Sequence, residues 1–420
     1  LPISTGRNDW ASQIAGSPSK SFFYPSVGLS WVPSSTWDLG NAFSYLKLRG
    51  SIASVGLPFP RFLTTPTYEY DATGKIWKDK THYPIGDLKP ERTITYEVGI
   101  DARLWKNISL SASWYSADTK NQTFDPALPP SSSYTTIYLQ TGHVRNTGVE
   151  LSLGYSNQWR DFGWSSNFTF SWNKNEIVDL ASGALNPVTG QPLNLSELDI
   201  KGLGKAKYIL KQGGTLGDLY TTSDLKFNDN GYVEVDKAGN LLLTDEGEQI
   251  YLGSVFPSEN LAWRNDFRYK GINLGLLFTG RIGGICYSAT QANMDLYGVS
   301  EVSAAARDAG GVLINGREMV DAQKWYQAIG SQSGLPQYYT YSATNFRLQE
   351  LSLGYTLPRK WFRNKMVLTV SFVGRNLWMI YCKAPFDPEA VASTGLSYQG
   401  IDYFMMPSLR SLGFNVKFEF

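Results

Sequence analysis

The chain is poor in charge, cysteine and histidine and has no long apolar run. Charged residues make up 18% of the 420 positions, below the roughly 25% of an ordinary globular protein. The 38 Lys+Arg and 37 Asp+Glu leave a formal net charge of +1, so charge gives no reason to expect a nucleic-acid partner. Only Cys286 and Cys382 could form a disulfide, and no CxxC motif accompanies them. A disulfide framework and a zinc site are therefore not expected. A whole strand separates the strands that carry them, which exceeds the reach of a disulfide unless loops bring them together. The two histidines, His82 and His143, have no metal-ligand spacing. Nowhere is there a stretch of about 18 apolar residues, which excludes a membrane-spanning helix. It does not exclude a membrane barrel, whose strands are only half apolar. Leu1 and "PISTGRNDWASQ" carry neither a basic nor an apolar region of a secretory leader.

What the chain has instead is aromatic residues, at 14%, and 40 glycines. That is a β composition rather than a helical one. Apolar residues recur with period two. In "WSSNFTFSWN", Trp164, Phe168, Phe170 and Trp172 share one face, and Ser165, Asn167, Thr169, Ser171 and Asn173 share the other. "TITYEVGIDARL", "GVELSLGY", "LAWRNDFRY" and "MVLTVSFVGR" repeat the pattern. In "FRLQELSLGY", Phe346 and Leu348 give way to Leu351, Leu353 and Tyr355, a change of phase that a β-bulge near Gln349 and Glu350 explains.

About eleven such segments are counted, near 21–32, 43–55, 92–105, 108–119, 143–156, 163–176, 259–270, 272–283, 344–356, 365–378 and 407–420. Their length suits a tilted crossing of a bilayer. The links alternate strictly. Lys106-Asn107 and Lys270-Gly271 are tight turns, and "NQWRDFG", "PRKWFRN" and "PSSTWDLGN" are short. The links 57–91, 120–142, 177–258, 284–343 and 379–406 are long. Short turns on one side and long loops on the other are the signature of an outer-membrane barrel, periplasmic below and extracellular above. The expected fold is all-β, a transmembrane antiparallel β-barrel. Within the long loops, "LKFNDNGYVEV" reads as a hairpin. "EVSAAARDA" and "REMVDAQKWYQAI" read as one or two short helices.

Single-chain bacterial barrels have an even strand count, and open edges are not tolerated in lipid. An odd count therefore implies missing strands. The expectation is that residues 1–420 are the C-terminal part of one barrel domain of about 22 strands, with the remaining strands and an N-terminal plug outside this sequence.

Several segments resemble SusC/RagA-type TonB-dependent transporters. They are "SFFYPSVGLSWV", "LKLRGSIASVG", "LKPERTITYEVGID", "NTGVELSLGYS", "FRLQELSLGYTLP", "VGRNLWMI", "FDPEA" and the terminal "MPSLRSLGFNVKFEF", in order along the whole chain. The resemblance implies a barrel in the outer membrane of a Gram-negative bacterium of the Bacteroidetes. It implies TonB acting through the plug and a SusD-type lipoprotein closing the extracellular mouth. It also implies import of oligosaccharides or peptides, with outer-membrane lipids around the wall. The alternative is a transporter-like barrel serving as a scaffold in an outer-membrane complex. No cofactor, metal or enzymatic chemistry is expected. "DLKFNDNG" has Lys226 and Lys237 where calcium ligands belong, and "KQGGTLGD" lacks the Lys-Ser/Thr of a phosphate loop.

Candidate site residues follow. Aromatic loop residues able to stack on sugars or pack on peptides are Trp77, Tyr83, Trp325, Tyr338, Tyr339 and Tyr341. The group "QYYTYS" is the densest. Glu97, Asp101, Arg103, Arg264, Asp266, Arg268 and Arg375 fall on the polar, lumen-facing parity. Phe414, Val416, Phe418 and Phe420 alternate in the last strand and resemble the terminal signal by which outer-membrane barrels are recognised and inserted.

Overall fold

The computed structural model describes residues 1–14, 17–18, 20–59, 63, 68–79, 82–83, 88–124, 134, 136–180, 191, 195–245, 247–393, 395 and 398–419. Twelve strands form one antiparallel sheet in chain order. They are β1 (Pro2–Asp9), β2 (Phe22–Trp31), β3 (Phe43–Leu57), β4 (Glu91–Leu104), β5 (Ile108–Phe124), β6 (Leu139–Trp159), β7 (Phe162–Asp179), β8 (Glu259–Tyr269), β9 (Ile272–Ile282), β10 (Asn345–Thr356), β11 (Val367–Cys382) and β12 (Ser411–Glu419). Each strand pairs with its sequence neighbours, and β1 and β12 are the sheet's edges.

Eleven of these were legible from alternation. The twelfth is β1. Its sequence, PISTGRND, has one large apolar side chain and no period, so only its register against β2 (Ile3 opposite Gly28, Arg7 opposite Tyr24) reveals it. The sheet thus has an even number of strands, and the inference of missing strands from odd parity falls away.

Register holds each apolar face in line across the sheet. Leu110, Leu153, Phe168, Trp263, Phe278, Leu348 and Trp378 are successive cross-strand partners from β5 to β11. A slip of one residue would turn a strand's whole apolar set to the other side. The phase change in β10 is a bulge at Gln349. Leu277 opposes Glu350 and Phe278 opposes Leu348, so one residue of β10 is unmatched. Leu348 and Leu351 thereby stay on the same face. Asn265 interrupts the apolar row of β8 but is 4% exposed. The Trp164 indole N–H donates to its Oδ1 at 3.2 Å, as a buried polar group on a lipid-facing surface requires.

The long loops build a second body above one end of the sheet. A four-stranded sheet joins Glu197–Leu203, Ala206–Lys211, Asp218–Thr221 and Ile250–Ser254. A three-stranded sheet joins Thr340–Ser342, Ile285–Ser288 and Ile401–Asp402. Helices Ala289–Leu296, Glu301–Asp308 and Ala322–Ile329 start on Ser288, Ser300 and Asp321, whose side chains accept from the N–H of Gln291, Ser303 and Lys324, satisfying donors that a helix start leaves open. The last two helices lie where sequence placed helical segments. The first was not foreseen, and Glu318–Val320 is a strand. The expected hairpin closes through a bridge between Phe227 and Val233, and further bridges, Val235 with Leu241 and Leu225 with Leu243, join it to the segment that follows. One hydrophobic core runs through this body, including Tyr208, Leu210, Leu219, Tyr287, Leu335, Tyr339 and Ile401.

Candidate functional site

Two regions carry polar or aromatic side chains in quantity: the polar face of the sheet and the loop body. On the polar face, two charge clusters form. In the first, Arg49 pairs with Glu97, Lys47 Nζ lies 3.7 Å from Asp101 and Arg49 Nε lies 3.6 Å from the same carboxylate. Ser111 Oγ donates to Asp101 at 2.7 Å. In the second, Arg264 contacts Asp266 at 2.9 Å and Glu350 at 3.5 Å, and Arg375 contacts Glu350 at 3.0 Å.

The structure therefore brings Glu97 together with Asp101, and Arg264 with Asp266 and Arg375. Arg103 and Arg268 are exposed outside both clusters. Sequence reasoning missed Lys47, Arg49 and Glu350. Lys47 and Arg49 alternate with Leu46 and Leu48, and Glu350 follows the bulge, so parity was the available signal. Between the clusters lies a groove of about 360 Å³, lined by Ser111, Ser113, Ser152, Thr169, Ser171 and Asn260 among others, with Arg49 among its walls. The groove thus combines hydroxyl and amide groups with one cation, Arg49, and one carboxylate, Glu150, beside the apolar Leu151, Phe170 and Leu261.

In the loop body the aromatic candidates separate. Trp325 and Tyr338 meet edge to face, 6.1 Å between centroids. Tyr338 is 36% exposed. Burial, and then the charge of Asp224, push its phenol up to about 12. Gln337 Nε2 donates to Asp224 Oδ1 at 2.7 Å, fixing this edge of the segment. Tyr341 donates to Gln291 Oε1 at 2.7 Å and packs edge-on to Phe386 at 5.9 Å. Tyr339 corrects the sequence reading. It is 2% exposed and belongs to the loop core, where burial raises its pKa, so its ring presents no surface to a ligand. Trp77 is exposed on a separate hairpin, Tyr68–Asp71 with Ile76–Asp79, against Tyr70 at 5.2 Å. Tyr83 lies in the short strand His82–Tyr83, and its side chain is outside the described residues. Phe414, Val416 and Phe418 are exposed on edge strand β12, and Phe420 lies outside the described residues.

A further residue escaped the sequence reading. Arg347 is 4% exposed and clamps Asp387 with two hydrogen bonds, Nη1–Oδ2 at 3.0 Å and Nη2–Oδ1 at 2.9 Å. Asn345 Oδ1 accepts from its Nε and Nη2. Burial would raise the Asp387 pKa, but hydrogen bonds from Arg347, Ser408 and the Glu389 N–H, with the Arg347 charge, outweigh it and hold it below the ordinary value. This fork pins the loop 383–410 to the end of β10. Both cysteines are free thiols, and burial pushes Cys286 up to about 12. Among the described residues no group of three or more His, Cys, Asp and Glu is placed to hold a metal.

A twisted, sequentially paired sheet with one apolar and one polar face, short turns below and a folded body above is the wall of a transmembrane β-barrel. Residues 4–255 match the family described as "TonB dependent receptor-like, beta-barrel", and the chain belongs to that family. The curated relatives it resembles include TonB-dependent receptor P3 of Formosa agariphila, 24% identical over 99% of this chain and 43% of that protein. Another is TonB-dependent receptor SusC of Bacteroides thetaiotaomicron, 20% identical over 79% of this chain and 32% of that protein. Among solved structures, a RagAB peptide importer in its closed-closed state superposes with TM-score 0.72 at 21% identity, over 99% of this chain and 45% of that one. At that identity the likeness establishes the fold. The chain spans less than half the length of the relatives it matches. Its place is the outer membrane of a Gram-negative bacterium, and relatives from Formosa and Bacteroides agree with the Bacteroidetes resemblance.

Proposed function

We propose that this chain is the C-terminal part of the barrel wall of a SusC-type transporter that imports oligosaccharides or peptides, with a plug and further strands supplied by sequence beyond residues 1–420. The observation that carries this reading is the hydroxyl-rich groove on the polar face, which holds one guanidinium, Arg49, and one carboxylate, Glu150, and is set between two self-balanced charge clusters. Such a surface lets a polar chain exchange hydrogen bonds as it passes. The loop body supplies the entrance, and Trp325 with Tyr338 is its ligand-facing pair. On this reading a SusD-type lipoprotein covers the mouth and TonB acts through the plug. The likeness to SusC and to a peptide importer supports the same class.

The test is uptake by cells lacking the gene. Labelled oligosaccharides and labelled peptides are supplied separately, with and without TonB. Loss of uptake of one cargo class, matched by TonB removal, is the expected result. Unchanged uptake of every cargo alongside a general envelope defect would replace import by the scaffold role.

A further inference from the structure

Four neighbouring periplasmic turns share one composition. Each joins an aromatic residue to a cation: Trp105-Lys106, Trp159-Arg160, Tyr269-Lys270, and Trp361 with Arg363. The cation adopts a left-handed backbone every time, with φ of 69° at Lys106, 51° at Arg160, 45° at Lys270 and 55° at Arg363. That region favours glycine and asparagine, so turn geometry alone does not select Lys or Arg. The four side chains are exposed. Among the described residues none of them enters an ion pair. With Arg359, Lys360 and Lys365, the five periplasmic turns hold seven Lys and Arg against Asp38 and Asp161, in a chain of net charge +1. The positive charge is therefore concentrated at one rim.

The rings fix the depth of that rim. Trp159 continues the apolar parity of Leu151, Leu153 and Tyr155, and Tyr269 continues that of Leu261 and Trp263. Both are about half exposed, at 47% and 49%. Exposed Trp and Tyr at the end of an apolar strand face lie at headgroup level, and each cation follows its ring immediately or within two residues. Lys270 Nζ stands 5.3 Å from the Tyr269 ring centroid. Successive cationic turns are two strands apart, roughly 10 Å along the rim before tilt.

We propose that this arc binds the phosphates of anionic phospholipids in the inner leaflet of the outer membrane. The rings occupy the glycerol–acyl boundary and the cations meet the headgroups, an attraction that charge complementarity supplies without a pocket. The turn at 32–42 has Trp37 and Asp38 but no cation, and lies outside the arc.

The test uses the full-length protein in nanodiscs of phosphatidylethanolamine with a minor share of phosphatidylglycerol. Lipids retained through stepwise delipidation are counted by native mass spectrometry. The wild type retains phosphatidylglycerol in excess of its share. The combined variant Lys106→Asn, Arg160→Asn, Lys270→Asn and Arg363→Asn loses that excess, and each single change weakens retention roughly fivefold. Asparagine accepts the left-handed backbone, so the turns persist. Should the combined variant fail to fold, the four single variants carry the comparison. The charge-preserving set Lys106→Arg, Arg160→Lys, Lys270→Arg and Arg363→Lys keeps the excess. Unchanged phosphatidylglycerol retention in the asparagine variants overturns the proposal. So does loss of binding to peptidoglycan sacculi in those variants while lipid retention stays constant, which would give the cations to the cell wall instead.

Discussion

Arg347 shows how much one side chain can hold. Its guanidinium fork on Asp387 is buried on both sides, 4% and 9% exposed. Removing one member of such a pair strands the other charge in a dry site. Arg347→Ala is expected to destabilise the loop body by about 3–5 kcal/mol. Arg347→Lys should restore little, because an ammonium cannot bridge both carboxylate oxygens. Limited proteolysis within 383–410 reads this directly, and cleavage no faster than wild type in Arg347→Ala would refute the clamp. The pH dependence has a definite sign. Asp387 is held below its ordinary value of 3.8, so its contribution is fully present above that pH. It is lost as pH falls further through the folded-state value. Protection of the loop should therefore be flat from neutral pH to about 4 and drop only in stronger acid. A second pair of residues, adjacent in sequence, should behave oppositely. Tyr338→Ala is expected to weaken ligand binding by about 0.5–1.5 kcal/mol while leaving the fold intact. Tyr339→Ala should cost about 3–5 kcal/mol of stability through the cavity it opens. Calorimetric binding and thermal unfolding of both variants separate the roles. Equal effects of the two on binding would show that burial does not distinguish them.

At the scale of elements, the bulge in β10 decides where a whole strand faces. Gln349 is the unmatched residue, and were it paired in register with β9, Leu351, Leu353 and Tyr355 would face the opposite side from Leu348. Deleting Gln349 removes the bulge and leaves Leu348, Leu351, Leu353 and Tyr355 in strict alternation, so β9–β10 pairing should survive it. Deleting Ser352 instead displaces Leu353 and Tyr355 by one residue, turns them to the lumen and is expected to abolish insertion. Heat-modifiable migration of the outer-membrane fraction measures this; a Ser352 deletion with wild-type yield would show that the register recovers by another route. The bulge was legible beforehand because the phase change is local and written in six residues. So were ten of the eleven strand links' lengths and the polar parity of Glu97, Arg264 and Asp266. β1 was not legible, since PISTGRND has no alternation to detect. Nor was the loop core. Tyr208 from the 177–258 loop, Tyr287 and Tyr339 from the 284–343 loop and Ile401 from the 379–406 loop meet only once the three loops have folded on one another. The Arg347–Asp387 clamp is likewise a contact across 40 positions. Aromatic density in "QYYTYS" carried two meanings, a surface pair and a core ring, and sequence alone does not say which tyrosine takes which.

At the scale of the molecule, the open question is what pairs with the sheet's edges. Among the described residues β1 pairs only with β2, and β12 only with β11, so each presents a row of unpaired backbone groups that hydrocarbon cannot satisfy. Two closures are geometrically distinct. The edges could join each other in a barrel of twelve strands, or further strands could intervene in a wider one. The relatives are more than twice as long as the portion this chain matches, and twelve strands alone would enclose a narrow lumen. The wider closure is therefore the expected one. Residues 1–420 expressed alone should yield no heat-modifiable species in the outer membrane, while co-expression with a sequence supplying the remaining strands should. Cysteine pairs test the contact itself. Ile3→Cys and Asn415→Cys, both on the polar face, should not crosslink to each other within the assembled protein, although a disulfide at these positions would form readily in a twelve-strand barrel whose edges met in that register. A crosslink between them, together with a heat-modifiable species from residues 1–420 alone, would mean that this chain closes on itself and that the wider barrel is wrong.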